Sequence, residues 1–188
     1  MKMESLNFGS KINLAWLESQ SRELAVVVLD NSSAWGARRK MVAGSGVSCP
    51  TIFFNADEEH QVEDLEDALI HLENFQFQEI RIIAFDATVV PALAIFSSLR
   101  PTKVKLINPQ PCRNTALYEV VIEENIEFIK CIPSIKIIFD GNNDFSLEFV
   151  RELERIAPQT SQLKINSISD FSSQMVRYPS YVKSFANI

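Results

Sequence analysis

Six short apolar runs, rich in β-branched residues, recur along the chain. They are Leu24–Leu29, Thr51–Phe54, Ile80–Phe85, Val104–Ile107, Ile135–Phe139 and Leu163–Ile168. Continuous apolar runs of this length are typical of strands that are buried on both faces of a parallel sheet. We expect Leu24–Leu29, Ile80–Phe85 and Val104–Ile107 to be the central strands. A weaker alternation on either side of Gly9-Ser10 indicates an N-terminal hairpin.

Helical periodicity separates most of these runs. In residues 62–75 apolar positions return every three or four residues, and acids crowd the first turns, where the helix dipole favours them. Residues 88–99 are apolar on nearly all sides, which predicts a buried helix, and Phe149–Ile156 carry the stripe of another helix that Pro158 ends. This alternation predicts a three-layer α/β/α sandwich around a mainly parallel sheet. Residues 112–132 fit either a helix or a strand followed by a loop.

Length, charge and cysteine content narrow the class of protein. We expect one domain, 1–188, with no membrane span, because no apolar run approaches about 18 residues. A net charge of -6 argues against nucleic-acid binding. Three dispersed cysteines and an N-terminus without a secretory signal favour the cytoplasm. The two histidines lack the spacing of metal ligands, so we expect no metal site. The chain also has no glycine-rich phosphate loop, so we expect no cofactor. The oligomeric state is left open.

The candidate site residues follow the predicted strands, because ligands of open parallel sheets bind beyond the carboxyl ends of the strands. These candidates are Asn31, Ser32, Trp35, Asp86, Ala87, Asn108, Asp144 and Ser169. Asp86 and Asp144 also fit the start of a helix, and a helix cap is our preferred interpretation of Asp86. The acidic stretch from Asp57 to Asp67 and the basic triplet Arg38-Arg39-Lys40 are interpreted as solvated surface, with docking of a partner as the alternative.

The order of these segments resembles the α/β-hydrolase superfamily across nearly the whole chain. In that family a strand leads into a G-x-S-x-G elbow and then a helix of small residues. Here Ala84 and Thr88 occupy the glycine positions and Asp86 the serine position. Asp144 matches the family's acid, and Ser169 takes the place of its histidine. The resemblance implies a hydrolase-like sheet without a cap domain, with vestigial catalytic positions. Without the glycines, we expect the elbow turn to be relaxed.

Two groups within the superfamily look most similar. The short, cap-less YqiA/YcfP-type esterases share the length, an Asn-Pro pair like Asn108-Pro109 and a tail like residues 171–185. The BioG-type pimeloyl-carrier-protein methyl ester esterases resemble the chain at Ala84-Phe85 and Trp35-Gly36. The resemblances imply a small acyl ligand, and the BioG-type resemblance also implies a carrier protein as a possible partner.

Loss of the serine and the histidine leaves three hypotheses about function. A carboxylate at Asp86 needs no base to attack, and some members of the superfamily form an ester on an aspartate there. Those enzymes still use a histidine to hydrolyse the ester, and we expect neither His60 nor His71 to reach the site. We therefore expect a degenerate, non-catalytic hydrolase that binds a protein partner or a small acyl ligand. The alternatives are a divergent esterase or thioesterase, and a structural subunit with an acidic helix, Val62–Phe75, as its interface.

Overall fold

One mixed sheet organises the residues that the computed structural model describes, which are 3–8, 12–17, 23–30, 35–44, 49–56, 62–109, 127–156, 163–168 and 178–186. Its strands are β1 Met3–Phe8, β2 Ile12–Leu17, β3 Leu24–Leu29, β4 Thr51–Ala56, β5 Glu79–Phe85, β6 Lys103–Ile107, β7 Ser134–Asp140 and β8 Leu163–Ile168. The helices are α1 Trp35–Gly44, α2 Val62–Glu73, α3 Val89–Leu99, α4 at residues 127–131, α5 Asp144–Ile156 and α6 Tyr178–Ala186. A 3-10 turn, Asp86–Thr88, leads into α3.

The eight strands lie in the order β1-β2-β4-β3-β5-β6-β7-β8. Six neighbouring strands are mutually parallel, in the order β4-β3-β5-β6-β7-β8, whereas β1 and β2 form an antiparallel hairpin that joins β4. The expected centre is confirmed, since β3, β5 and β6 each have a parallel neighbour on both sides. The predicted α/β sandwich is therefore correct, and the described residues include no cap domain.

Alternating side chains of the central strands fill two separate cores. On one face Val27, Leu29, Ile82 and Ala84 pack with apolar residues of α2, α3 and α5. On the other face Val26, Val28, Ile83 and Phe85 pack with residues of α1 and α6. Burial on both faces explains why these strands are continuous apolar runs in the sequence.

The helices largely follow the apolar periodicity. Residues 62–75 and 88–99 were expected to be helical, and α2 and α3 occupy these regions. In the ambiguous segment 112–132, residues 127–131 are helical and residues 112–126 lie outside the described residues. Cys49 and Cys131 are free thiols, and burial raises the pKa of the Cys49 thiol. None of the described helices is long and apolar enough to cross a bilayer.

One lysine is buried in the core between the sheet and α6. Lys105 of β6 is 7% exposed, and its Nζ lies 4.6 Å from the centroid of the Phe185 ring. Burial, and then the neighbouring charge of Lys136, lower the pKa of Lys105 to about 8. The charged form of Lys105 is therefore disfavoured in the folded protein, and this lysine reduces the stability at neutral pH.

We expect Lys105→Met to raise the stability at pH 7. Because the folded protein releases this proton near pH 8 and the unfolded chain near 10.5, the unfolded state binds more protons between these values. The stability of the wild type should therefore gain a favourable contribution as the pH rises through this window, and the Lys105→Met variant should lack it. Denaturant midpoints of both proteins at several pH values measure the difference. The control is Lys103→Met, because Lys103 is exposed. An equal change in the pH dependence of its stability would contradict the lowered pKa of Lys105.

Candidate functional site

The turn after β5 keeps the geometry of a tight elbow. Phe85 is extended, with φ -118° and ψ 138°, and Asp86 then adopts a left-handed φ of 52° before the helical residues begin. A residue with a Cβ is strained in this region, although aspartate and asparagine tolerate it better than most. The expectation of a relaxed turn is therefore wrong.

The Asp86 carboxylate is bonded across the sheet to the residue that follows β6. Phe85, and not Asp86, occupies the N-cap position of the 3-10 turn. The half-exposed Asp86 accepts a hydrogen bond at Oδ1 from Nδ2 of Asn108, at 3.1 Å. Asp86 is therefore not the N-cap residue, and the cap interpretation is wrong. The local sequence pattern could not reveal its partner Asn108, which directly follows β6.

Thr88, at the position of the second elbow glycine, joins the ends of β3 and β5. Its buried hydroxyl lies 2.9 Å from the carbonyl oxygen of Leu29 and 2.6 Å from that of Phe85, which share its single proton. The same oxygen accepts the Phe85 N–H at 3.2 Å. The hydroxyl thus ties Thr88, which follows Asp86, to Phe85, which precedes it, and to the end of β3. The sequence pattern indicates only that Thr88 replaces a glycine.

Asn108 directly follows β6 and is the centre of a network between three strand ends. Its φ is also left-handed, at 49°, and its N–H donates to the Ile138 carbonyl oxygen of β7 at 2.7 Å. The side chain is 7% exposed, and its Oδ1 has no hydrogen-bond partner among the described residues. A buried acceptor left without a donor costs about 1–3 kcal/mol. Asn108 therefore keeps a buried, unsatisfied acceptor beside the Asp86 carboxylate.

Asp144 lies at the same edge of the sheet but is not joined to Asp86. It is the exposed first residue of α5, and Asn143 caps this helix by accepting the Ser146 N–H at 3.2 Å. The interpretation of Asp144 as a helix start is confirmed. The buried Ser146 hydroxyl donates to the Pro109 carbonyl oxygen at 2.6 Å, which fixes the start of α5 against the residue after Asn108.

A third carboxylate lies at this edge beside those of Asp86 and Asp144, and it was not among the sequence candidates. Asp30 directly follows β3, where Leu29 is in register with Ala84 of β5, and its side chain is buried. Its position after an apolar strand was the available signal. Across the described ranges, no three His, Cys, Asp or Glu side chains are grouped as metal ligands.

The other candidates cannot be placed beside Asp86. Asn31, Ser32, Ser169 and His60 lie outside the described residues, as do the side chains of Trp35 and Ala87. His71 is in the last turn of α2 and packs edge-on against Phe75, 5.3 Å between ring centroids. That helix leads into the start of β5, whose 7 residues place the opposite edge about 20 Å away. His71 therefore does not reach Asp86.

An apolar cavity of about 370 Å³ lies at the amino edge of the sheet, where β6 and β7 begin. Arg100, Phe128 and the free thiol of Cys131 are among its lining residues. The length of β6 separates this cavity from Asn108, so it does not belong to the elbow site.

Comparing Asp86→Gly with Asp86→Ala tests the strained turn. Both variants lose the carboxylate and its bond to Asn108, but only alanine keeps a Cβ in the left-handed region. We expect the glycine variant to be more stable, by about 1 kcal/mol. In an ordinary first turn of a helix, alanine would be the more stable of the two. Denaturant midpoints at equal slope give the sign.

Comparing Thr88→Val with Thr88→Ser tests the hydroxyl. Valine keeps the shape and removes the bonds to Leu29 and Phe85, so we expect a loss of about 1–3 kcal/mol in the free energy of unfolding. Serine keeps the hydroxyl and should lose less. Thermal or denaturant unfolding measures both, and equal losses would mean that packing of the methyl group stabilises the elbow.

Comparison with known proteins supports the architecture. No protein-family model and no curated protein sequence matches the chain. Among solved structures, the esterase domain of a Rhodothermus marinus protein is similar over 100% of both chains, with a TM-score of 0.65 and 11% identity. The thioesterase domain from the curacin biosynthetic pathway has a TM-score of 0.64 and 10% identity, over 99% of this chain and 98% of that one. Haloalkane dehalogenase DbeA from Bradyrhizobium elkani has a TM-score of 0.64 and 4% identity, over 98% of this chain and 97% of that one. The chain has the α/β-hydrolase fold.

Proposed function

We propose that this protein binds a small acyl ligand at the elbow of its hydrolase fold and does not hydrolyse esters by the serine mechanism. The observation that carries the proposal is the left-handed Asp86, whose carboxylate Asn108 holds at the carboxyl edge of β5. Backbone strain of this kind costs about 1–3 kcal/mol and is concentrated at functional sites. A turn without a use for this carboxylate would be more stable with glycine at this position.

Serine-type hydrolysis lacks its main groups here. Asp86 replaces the nucleophilic hydroxyl, and Ser169 stands where the resemblance expects the histidine. A general base typically contributes about 10²- to 10⁴-fold to the rate. Loss of both groups therefore favours binding over turnover.

The groups around the elbow match an acyl ligand that also carries a donor. The first N–H groups of a helical segment have no acceptor within that segment, and at this elbow they can donate to an acyl oxygen. The buried Oδ1 of Asn108 can accept from an N–H or O–H of the same ligand. The similar structures include an esterase domain and a thioesterase domain, and this likeness, together with the resemblance to YqiA/YcfP-type and BioG-type esterases, supports an acyl compound. The free thiols of Cys49 and Cys131 fit a reducing compartment such as the cytoplasm.

A second candidate function is covalent catalysis by Asp86, and the preserved elbow geometry favours it. A carboxylate at this position can attack the carbonyl carbon of a thioester, form a mixed acyl anhydride with it and expel the thiolate. Water then cleaves the anhydride to the carboxylate of Asp86 and the free acid, and a base that activates this water speeds the step. His60 comes four residues after Ala56, the last residue of β4, and is the histidine to test.

One experiment separates the two functions. The probe is S-butyryl-N-acetylcysteamine, a soluble thioester with an acyl carbonyl and an amide N–H. We expect saturation transfer from the wild type to the probe by NMR, and no release of thiol above the buffer rate. Asp86→Ala and Asn108→Leu should abolish the transfer. Asp140→Asn should not, because that carboxylate is at the end of β7 and accepts the Asn142 N–H at 2.9 Å.

Two results would contradict the binding proposal. Absence of saturation transfer from the wild type to the probe would show that the protein does not bind this acyl compound. Thiol release that disappears in both Asp86→Ala and His60→Ala would establish the covalent mechanism instead. Mass spectrometry of the intact protein adds a direct check, since a covalent adduct lost in Asp86→Ala would show that Asp86 reacts.

A further inference from the structure

Three lysines form one row across the sheet, on the face where α6 packs. Lys105 of β6 is in register with Lys136 of β7, which is in register with Lys164 of β8. Residues in register on neighbouring strands point to the same face, and the strands are about 4.8 Å apart. The lysine row, as we call these three residues, therefore spans about 10 Å. It is a local concentration of positive charge in a chain of net charge -6.

The outer part of the lysine row is open to solvent. Lys105 is buried beneath Phe185, whereas Lys136 is half-exposed and Lys164 is exposed. Lys103, two residues before Lys105 and on the same face, is also exposed. In the part of the chain that the structure describes, neither Lys136 nor Lys164 forms a salt bridge. Their ammonium groups are thus available to an external anion.

The arrangement is unfavourable for the fold by itself. Like charges directly opposite each other on neighbouring strands destabilise a sheet. The effect is visible at Lys105, because the charge of Lys136 adds to burial in lowering its pKa. Polar uncharged residues at these positions would avoid the repulsion. An anionic partner would offset the repulsion between these lysines, so binding of such a partner would explain why they lie together.

We propose that the lysine row is a docking site for an acidic α-helix of a partner protein. Side chains three or four residues apart on a helix are about 5–6 Å apart, close to the spacing of the strands. A helix that crosses β7 and β8 can therefore align successive carboxylates with Lys136 and Lys164. The site is separate from the elbow, since it lies within the strands and not beyond their carboxyl ends.

Other anionic partners fit this surface less well. Nucleic-acid binding relies on a broad basic face, whereas this row is about 10 Å long on an acidic protein. Attachment to a membrane surface needs apolar side chains beside the basic ones. The exposed large apolar residues of the described part are Leu6, Ile70 and Phe128, which belong to β1, α2 and α4 and not to the row.

The test uses an alanine-based helical peptide with glutamate at every fourth position, labelled for fluorescence anisotropy. We expect binding that weakens with salt, and a loss of about tenfold in affinity in the double variant Lys136→Gln/Lys164→Gln. The matched control is Lys40→Gln/Lys130→Gln, which removes two exposed lysines of α1 and α4 and should change the affinity less than twofold. The row variant removes repulsion, so it should remain folded.

A second readout locates the peptide on the row. Peptide carboxylates beside Lys136 should raise the pKa of Lys105 from about 8, so binding at pH 8 should take up protons. Calorimetry in two buffers of different ionisation enthalpy measures this uptake, which should vanish in Lys105→Met.

Three results would overturn the proposal. Equal losses in the row and control variants would show that the peptide binds by general charge. Binding without proton uptake would place it elsewhere on the protein. Tighter binding of single-stranded oligo-dT or of phosphatidylserine vesicles, with the same dependence on Lys136 and Lys164, would make the row a nucleic-acid or a lipid site.

Discussion

The hydroxyl of Thr88 is the contact on which the geometry of the elbow depends. It bonds the last carbonyl of β3 and both backbone groups of Phe85 at the end of β5. Because Phe85 is held in this way, the chain must reverse direction within one residue, and that residue is the left-handed Asp86. In the glycine pattern of the fold, freedom of the backbone permits this turn. Here a buried side-chain hydrogen bond enforces it instead.

The same two residues serve the backbone and the chemistry of the site. Asp86 and Asn108 end neighbouring strands, and each has a positive φ that aspartate and asparagine tolerate better than most side chains. Their side chains also bond each other, which leaves an amide oxygen of Asn108 buried without a partner among the described residues. Asp86 and Asn108 are preorganised, since the strand ends that position them are held by hydrogen bonds within the protein itself.

Sequence reasoning succeeded where local pattern and burial agree, and failed where a distant contact decides. β3 and β5 were predictable because burial on both faces leaves an uninterrupted apolar run, and α5 because its start is a local matter. Asp86 was misassigned as a cap because an aspartate before a helix has the same local pattern in both cases. Its conformation depends on the hydrogen bond between Thr88 and Leu29, which are 59 residues apart along the chain. Its partner Asn108 directly follows a different strand. No periodicity encodes these two contacts.

The left-handed Asp86 and the lysine row are two places where the fold keeps an unfavourable feature. One is backbone strain, and the other is repulsion between like charges. These energies have different physical origins, and they lie in different parts of the sheet, beyond the carboxyl end of β5 and within β6, β7 and β8. Relieving the strain at Asp86 would leave the repulsion in the lysine row unchanged, and the reverse also holds. The two features therefore need separate explanations. Natural proteins typically depart from such local rules at functional sites. The carboxyl edge and the α6 face therefore support two independent proposals, a ligand site and a docking site, on one scaffold with the α/β-hydrolase fold.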